Sequence, residues 1–296
     1  MPEIKTILVT GSNGQLGLSL KSLVLDYPQY QFTFIGRDEL DLSNTENITY
    51  YFKQKQFDLI INCAAYTAVD QAEQQQELAD RINHLAVKQL AKVAQDNNSV
   101  LIHISTDYVF DGTSYKPYSE NDQTNPQSVY GTSKLKGELA IQSISPKAII
   151  IRTAWVYSEF GSNFVKTMIK LGLERENLNV IFDQIGSPTY AKDLADSILK
   201  MIGSASFQKN TKGQLYHYSN EGVCSWYDFA KTIFELSNIS TKVTSIETKD
   251  YSTPAKRPHY SVLNKAKIKQ DFDLTIPYWK DSLQACLATL QQSKVT

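Results

Sequence analysis

Apolar and β-branched residues gather in short runs that do not alternate with polar ones. Such runs are typical of central strands in a parallel sheet, because both faces of that sheet are covered. Helical periodicity follows the first run, in the spacing of Leu16, Leu20 and Leu23. Strands that alternate with helices predict an α/β fold with a doubly wound, Rossmann-type parallel sheet. The predicted strands cover residues 6–10, 31–35, 57–62, 100–106 and 149–152.

The same pattern divides the chain into two parts. Residues 1–153 contain the predicted strands and helices of the first, sheet-containing domain, and residues 154–296 are predicted to be mainly a smaller second domain. Apolar residues at 194, 198, 199 and 202 predict a helix with one apolar face. We expect that helix to pack on the sheet, so that about 180–203 returns to the first domain.

Composition excludes several classes of partner. Lys and Arg total 30 against 31 Asp and Glu, and no basic run stands out, so neither nucleic acid nor an anionic membrane is expected. The three cysteines are far apart and form no CxxC motif, as in a reducing cytoplasm. A strand-like run begins near residue 1 and no apolar run approaches about 18 residues, so we expect no signal peptide and a cytoplasmic location. The expected partner is a small molecule.

A glycine-rich segment separates the first predicted strand from the first helix. It reads Gly11-Ser12-Asn13-Gly14-Gln15-Leu16-Gly17, with the spacing GxxGxxG. Backbone N–H groups and a helix N-terminus can bind a pyrophosphate at such a turn. Any βα connection can use glycine, but the position at the start of an α/β chain favours dinucleotide binding.

The end of the second strand bears on the choice of cofactor. The acidic residue that binds the ribose 2′-hydroxyl in an NAD site is missing at Gly36-Arg37, and an arginine suits the 2′-phosphate of NADPH. The alternative is a surface arginine, and Asp38 and Glu39 are expected to be solvated. After the third strand, Cys63-Ala64-Ala65-Tyr66 provides small residues over which a cofactor can lie.

Three polar residues carry the candidate chemistry. Thr106 ends the fourth strand, at the sheet edge where ligands bind in open α/β folds. Tyr130 and Lys134 are four residues apart, so they share a helix face and the ammonium can favour the phenolate. The phenol would then act as an acid or base, while Thr106 donates to an oxygen that gains negative charge. A packed tyrosine, a solvated lysine and a Ser-Thr turn are the open alternatives.

Several segments share a pattern with one known family. Residues 105–112, joined to Tyr130-Gly131-x-x-Lys134, resemble the dTDP-4-dehydrorhamnose reductase family of extended short-chain reductases. The resemblance continues through residues 152–157, 163–164, 183–189 and 253–258. It implies NADPH- or NADH-dependent reduction of the 4-keto group of dTDP-4-dehydro-β-L-rhamnose to dTDP-L-rhamnose, in the biosynthesis of a cell-surface polysaccharide.

The resemblance implies that residues 1–153 form an NAD(P)-binding domain and that residues 154–296 form mainly a substrate-binding domain. It also implies roles for individual residues. The catalytic residues would be Thr106, Tyr130 and Lys134, with Lys134 lowering the pKa of Tyr130. Arg257 is the candidate for the diphosphate, because its planar guanidinium suits phosphate oxygens. The substrate-binding residues would be Thr106, Asp107, Tyr130, Trp155, Asn163 and Arg257. The cofactor-binding residues would be Gly11, Asn13, Gly14, Gln15, Leu16, Gly17, Gly36, Arg37, Asp41, Leu42, Ala64, Ala65, Tyr66, Tyr130 and Lys134.

Other functions and assemblies stay open. Another nucleotide-sugar 4-ketoreductase or an epimerase of the same fold would keep most of these residues, and a relative of the family is a non-catalytic regulatory subunit of methionine adenosyltransferase. No metal-ligating cluster is evident, although some relatives pair as dimers through a Mg²⁺ site whose ligands the sequence does not identify. We expect Trp226 to be a core aromatic and Asn83 a buried structural amide.

Overall fold

A six-stranded parallel sheet organises the fold, in a computed structural model that describes residues 4–144, 147–209 and 213–292. The ends of the two predicted domain ranges, residues 1–3 and 293–296, lie outside the described residues. The strands are β1 (Thr6–Thr10), β2 (Gln31–Ile35), β3 (Leu59–Asn62), β4 (Val100–Thr106), β5 (Ala148–Thr153), β6 (Val156–Tyr157), β7 (Asn177–Ile181), β8 (Ile185–Gly186), β9 (Thr189–Tyr190), β10 (Gln214–Tyr218), β11 (Cys224–Ser225) and β12 (Lys242–Ile246).

The helices lie mostly between these strands. They are α1 (Gln15–Ser22), α2 (Thr45–Gln54), α3 (Val69–Ala72), α4 (Gln76–Asp80), α5 (Ala86–Asp96), α6 (Val129–Ile144), α7 (Phe164–Glu174), α8 (Ala191–Gly203), α9 (Ala205–Lys209), α10 (Trp226–Leu236), α11 (Ala266–Phe272) and α12 (Trp279–Gln292). A π-helical turn, Arg81–Leu85, joins α4 to α5, and single 3₁₀ turns cover Val24–Asp26, Asp107–Val109 and Thr248–Asp250.

The order of strands in the sheet places the ligand site. The order is β10-β5-β4-β3-β1-β2 with all pairs parallel, so the chain reverses its direction of travel across the sheet between β1 and β3. Open α/β sheets bind ligands outside the carboxyl ends of the strands at such a reversal. The predicted doubly wound parallel sheet is therefore confirmed.

Apolar side chains cover both faces of the sheet. Leu20 of α1 and Ile198 of α8 belong to the cluster on one face, and Leu90 of α5 and Ile141 of α6 to the cluster on the other. Every residue of β3 and β5 is buried, which explains the apolar runs 59–61 and 148–151 before the polar residues at their carboxyl ends.

The second part of the chain has its own core and also contributes to the main sheet. Its core includes Tyr157, Phe229 and Trp279, and β7 pairs with β12 beside it. The elements that join the main sheet or its covering layer are α8, β10 and α11. The range that we predicted to return to the first domain, about 180–203, does not include β10 or α11. The aromatic run 215–218 also suits a small domain, so its pattern does not identify β10 as a strand of the main sheet. The boundary between residues 153 and 154 stays a prediction.

A buried row of hydrogen bonds crosses the sheet just below the carboxyl ends of its strands. Thr10 Oγ1 donates to Asn62 Oδ1 at 2.7 Å, and Asn62 Nδ2 lies 3.1 Å from Nδ1 of His103. The three residues are neighbours in register on β1, β3 and β4. Burial holds the pKa of His103 well below its usual value, so the ring is neutral and the row carries no charge beneath the site.

Candidate active site

The carboxyl ends of β1, β3 and β4 open into one large cavity. Its volume is about 870 Å³, in the upper range of ligand-binding clefts. The wall continues into the second part of the chain at Trp155 and Asn163. The predicted site residues that line the cavity are Gly11, Asn13, Gly14, Gln15, Leu16, Gly36, Arg37, Asp41, Leu42, Ala64, Ala65, Tyr66, Thr106, Asp107, Tyr130, Lys134, Trp155 and Asn163.

Two predicted site residues do not line this cavity. Gly17 lies behind the glycine turn, where a Cβ would collide with the carbonyl oxygen of Gly11, so it permits a close approach within the turn. Arg257 is paired with Asp70: Nη1 donates to Oδ1 at 3.0 Å and Nη2 to Oδ2 at 2.7 Å. These bonds lower the pKa of Asp70, and a diphosphate would have to compete with this carboxylate for the guanidinium.

The glycine turn has the geometry that a dinucleotide needs. Gly11 has a left-handed φ of 66°, and a Cβ on it would lie 2.6 Å from the backbone nitrogen of Ala64. The N–H of Gly14 donates to the Gly11 carbonyl at 3.0 Å, which closes the turn. No side chain of the described residues caps the start of α1, so the N–H groups of its first turn are available to a pyrophosphate.

The loop after β2 carries two charged side chains near the end of the strand. Arg37 is 74% exposed and its Nη2 lies 3.7 Å from Asp41 Oδ2, so its guanidinium can turn towards a 2′-phosphate. Glu39 is exposed, as predicted, and its Oε2 also accepts from the Gly36 N–H at 2.8 Å, a contact that the sequence did not predict. The amide of Asn13 lies against Gly36, where a Cβ would be 2.7 Å from Nδ2. An acidic group therefore does reach the end of β2, from a position three residues further along the chain.

Thr106 and Tyr130 meet where β4 ends. Tyr130 lies in the first turn of α6, close to the Thr106 hydroxyl, and packs edge-on against the Tyr108 ring at 5.5 Å. Gly131 is needed there, because a Cβ would collide with the carbonyl oxygen of Tyr108. Thr106 Oγ1 also accepts from the Tyr108 N–H at 3.2 Å and donates to Asp107 Oδ1 at 3.0 Å. The two hydroxyls therefore lie together at the sheet edge.

The pKa values at the site differ from the prediction. Burial raises the pKa of Tyr130 to about 12, and the neighbouring Thr106 hydroxyl opposes this shift only in part. Lys134 does not lower it, because the Lys134 ammonium donates to the carbonyl of Ile104 at 2.6 Å and interacts with the charge of Glu138. Burial lowers the pKa of Lys134 to about 8. Tyr130 is therefore fully protonated at neutral pH, which is the state that a proton donor requires.

A buried ion pair below these residues was not predicted from the sequence. Arg152 donates from Nε to Glu138 Oε1 at 2.9 Å and from Nη2 to Oε2 at 2.6 Å, and Ser105 Oγ donates to the same carboxylate at 2.5 Å. The charged side chains are only 4% and 1% exposed. Glu138 lies one helical turn after Lys134 on α6. The pair with Arg152 therefore ties α6 to β5, and the Ser105 hydrogen bond ties the same carboxylate to the end of β4. The four-residue spacing from Lys134 was the available signal.

Asn83 is the buried structural amide that we predicted. It is 1% exposed, accepts from the backbone N–H of Tyr66 at 2.9 Å and donates to the Tyr66 carbonyl and to Ser133 Oγ, both at 3.0 Å. It therefore fixes the cofactor floor after β3 against helix α6.

Gln15 and Asn163 link the two parts of the chain. The Gln15 carboxamide accepts from Asn163 Nδ2 at 2.9 Å and from Ser158 Oγ at 3.0 Å, and donates to the Val156 carbonyl at 3.3 Å. Asn163 also caps α7, because its Oδ1 accepts from the Lys166 N–H at 3.2 Å. Gln15, a predicted cofactor-binding residue, and Asn163, a predicted substrate-binding residue, are thus hydrogen-bonded to each other.

Aromatic packing supports the part of the cavity wall that Trp155 forms. Trp155 has a left-handed φ of 50°, which is uncommon for a bulky residue and costs on the order of 1–3 kcal/mol. Its indole stacks on that of Trp226, with ring centroids 3.5 Å apart and planes at 10°. Trp226 is thus a stacking partner of a cavity residue, in addition to the core role that we predicted.

Comparison with known proteins identifies the family. Residues 5–292 match the family model described as RmlD substrate binding domain. The chain is 41% identical over 285 residues to the dTDP-4-dehydrorhamnose reductase of Aggregatibacter actinomycetemcomitans, covering 94% of this chain and 97% of that relative. The chain belongs to the dTDP-4-dehydrorhamnose reductase family. Against the reductase of Escherichia coli strain K12 the identity is 39% over 296 residues, with 96% and 97% of the two chains covered.

Solved structures of this reductase family have the same fold. A dTDP-4-dehydrorhamnose reductase from Clostridium acetobutylicum aligns with a TM-score of 0.91 and 42% identity, covering 97% of this chain and 99% of that one. The reductase from Bacillus anthracis, solved in complex with NADP, aligns at 0.90 and 37% with the same coverage. A dTDP-glucose 4,6-dehydratase from Bacillus anthracis aligns at 0.81 but is only 16% identical, which supports the extended short-chain fold alone. The predicted family resemblance is confirmed.

The described residues contain neither a metal-binding cluster nor a membrane-spanning helix. No group of three or more His, Cys, Asp or Glu side chains could hold a metal ion in residues 4–144, 147–209 and 213–292. In the same ranges, no helix has the length and apolar character required to cross a membrane.

Proposed function

We propose that this chain reduces the 4-keto group of dTDP-4-dehydro-β-L-rhamnose to give dTDP-L-rhamnose, with NADPH as the preferred reductant. The observation that carries the proposal is that Thr106, Tyr130 and Lys134 line the same cavity as the glycine turn. The family membership and the names of the relatives support the choice of substrate. Bound NADPH would supply the hydride.

Tyr130 is the proton donor in this proposal. As C4 of the sugar becomes tetrahedral, its oxygen gains negative charge, and the protonated phenol of Tyr130 gives that oxygen a proton. Thr106 donates a hydrogen bond to the same oxygen. Its single proton is directed at Asp107 Oδ1 in this structure, so the Thr106 hydroxyl would have to turn from Asp107 towards the substrate oxygen. Lys134 keeps a positive charge beside the nicotinamide ribose.

The remaining site residues bind the two ends of the ligands. Trp155 and Asn163 would contact the sugar. The Arg257 guanidinium would leave the Asp70 carboxylate and bind the diphosphate instead. Arg37, which lines the cavity, would pair with the 2′-phosphate of NADPH, and NADH would bind more weakly for lack of that phosphate. The unpaired state of Cys63, Cys224 and Cys286 supports a cytoplasmic location. Homodimer formation and a Mg²⁺ requirement stay predictions.

The deciding experiment is NADPH oxidation in the presence of the 4-keto sugar nucleotide. The wild-type chain should consume NADPH in proportion to the sugar added, and Tyr130→Phe should lower kcat about 10²–10⁴-fold while both ligands still bind. Tyr115→Phe is the matched control, because Tyr115 is 92% exposed and distant from the cavity lining. Near-normal turnover in Tyr130→Phe would reject the assignment of the proton donor.

The same assay separates the alternatives. Reduction of a different 4-keto sugar would keep the mechanism and change the substrate. Conversion of a nucleotide sugar without added reductant, by protein purified with bound cofactor, would indicate an epimerase or dehydratase. Absence of turnover with every nucleotide sugar, together with binding of methionine adenosyltransferase, would indicate a regulatory subunit.

A further inference from the structure

Two tryptophans from distant parts of the chain share one stacked arrangement at the sugar end of the cavity. Trp155 lines the cavity, whereas Trp226 does not. The indole of Trp155 also touches Gly186, where a Cβ would lie 2.7 Å from its Cε2 atom. Phe164 packs against the Trp226 ring at 4.6 Å, so Trp226 is held between a core aromatic and the cavity tryptophan. Trp155 therefore has one ring face covered by an indole that no ligand in the cavity would touch.

The strand and the helix cap that precede Trp226 place it against Trp155. Trp226 is the first residue of α10, and Ser225 forms a capping box in which its Oγ accepts from the Asp228 N–H at 3.0 Å while Asp228 Oδ2 accepts from the Ser225 N–H at 2.9 Å. Strand β11 pairs antiparallel with β8, and Cys224 is the partner of Gly186. The same two-stranded ladder thus carries both groups that touch the Trp155 indole.

The backbone of Trp155 makes this support necessary. A tryptophan with a left-handed φ is strained, and such a residue persists only when its surroundings fix it. The Trp155 carbonyl accepts from the Thr189 N–H at 3.1 Å, which fixes the backbone but leaves the ring to be oriented by its contacts. The stack with Trp226 is a close, parallel contact that defines the plane of the indole.

We infer that Trp226 is a positioning residue for the sugar, which acts by holding the Trp155 indole in the plane that forms the sugar side of the cavity. The inference rests on the proposed function, in which Trp155 contacts the sugar. Trp226 itself would touch neither the sugar nor the cofactor. Its loss should therefore change the affinity for the sugar nucleotide and leave the affinity for NADPH and the chemical step almost unchanged.

Trp279 offers a matched control for the loss of a core aromatic. It is the third tryptophan of the chain, is 5% exposed and belongs to the hydrophobic cluster against which the partly buried Trp226 packs. It packs edge-on against Phe229 at 5.8 Å rather than against Trp155. A general effect of weakened packing would appear in variants of both residues, whereas a positioning effect would appear only at Trp226.

The experiment measures binding of dTDP-L-rhamnose and NADPH by calorimetry, and the KM for the keto sugar, in Trp226→Leu and Trp279→Leu. We expect Trp226→Leu to weaken sugar binding and raise the sugar KM about three- to tenfold, since an aromatic pair contributes that much beyond its buried area. The Kd for NADPH and kcat should change less than about twofold. Trp226→Phe should restore most of the affinity because it keeps a flat ring. If Trp226→Leu does not fold, Trp226→Met and Trp279→Met give the same comparison.

A double-mutant cycle with Trp155→Ala separates this inference from the proposed function. If Trp226 acts through Trp155, adding Trp226→Leu to Trp155→Ala should cause no further loss of sugar affinity. Additive losses, or equal losses in the Trp226 and Trp279 variants, would overturn the inference. Unchanged sugar affinity in Trp155→Ala alone would instead remove the proposed sugar contact, and the inference with it.

Discussion

The two ends of the cavity are built by different means. At the cofactor end, which we define as the glycine turn, residues 36–42 and the floor at 64–66, the lining residues follow the ends of the parallel strands β1, β2 and β3 and include five glycines and alanines, namely Gly11, Gly14, Gly36, Ala64 and Ala65. At the sugar end, defined as Trp155 and Asn163, the wall comes from the second part of the chain, and Trp226 supports Trp155 from outside the cavity.

This difference decides what each end can tolerate. Backbone N–H groups at a turn are fixed by local hydrogen bonds and glycine conformations, so the cofactor end depends on residues close together in sequence. The sugar end depends on contacts such as the one between Trp155 and Trp226, which exist only after the chain has folded. Substitutions at the sugar end should therefore alter specificity through residues that never touch the ligand.

The buried pair of Arg152 and Glu138, between the two ends, gives the largest expected effect. Arg152→Met would leave the Glu138 carboxylate buried without its cation, and breaking a buried pair from one side costs about 3–5 kcal/mol of the free energy of unfolding. Urea unfolding of the purified variant measures this loss. Lys200→Met is the control, because its ion pair with Asp196 is 59% and 39% exposed and should be worth under about 1 kcal/mol.

Replacement of both charges sharpens that result. Arg152→Met combined with Glu138→Leu removes the unpaired charge, so the double variant should recover part of the lost stability. If Arg152→Met cost no more than Lys200→Met, the buried ion pair that ties α6 to β5 would not stabilise the fold measurably.

The same contrast explains how much of the molecule the sequence could predict. The sheet and the glycine turn follow from local patterns, because β-branched runs and glycine spacing act within a few residues. The return of Glu39 to the Gly36 N–H depends on a loop conformation that no spacing rule specifies. The stack of Trp226 on Trp155 depends on the pairing of β8 with β11, and two-residue strands leave almost no pattern in a sequence.

Lys134 should give the cofactor end a pH dependence. Its pKa of about 8 means that its charge is present below pH 8 and is lost as the pH rises through this value. We therefore expect kcat/KM to fall up to tenfold per pH unit above about 8. In Lys134→Arg this fall should begin at a higher pH, because a guanidinium stays charged. A profile that is flat across pH 8 in the wild type would show that the charge of Lys134 is not required.

Unfolding measurements distinguish this loss of activity from a loss of structure. The pKa of Lys134 is lowered from its usual 10.5, so between pH 8 and 10.5 the unfolded chain binds a proton that the folded chain does not. As far as Lys134 contributes, the free energy of unfolding rises with pH across this window. Urea unfolding at pH 7 and pH 9 should therefore show that the protein is still folded where its activity declines.

The smallest effects should come from the two opposite charges at the end of β2. Arg37→Ala should raise the KM for NADPH about tenfold and leave that for NADH nearly unchanged, because only NADPH carries a phosphate for the guanidinium. Glu39→Gln should lower the KM for NADPH about threefold, because a carboxylate held on the Gly36 N–H repels that phosphate.

Arg81→Ala is the control for both variants, since Arg81 has a comparable exposed pair with Glu77 but does not line the cavity. If Glu39→Gln changed the KM for NADPH and NADH equally, the carboxylate would act on the loop rather than on the phosphate, and local charge would not set cofactor choice at this end.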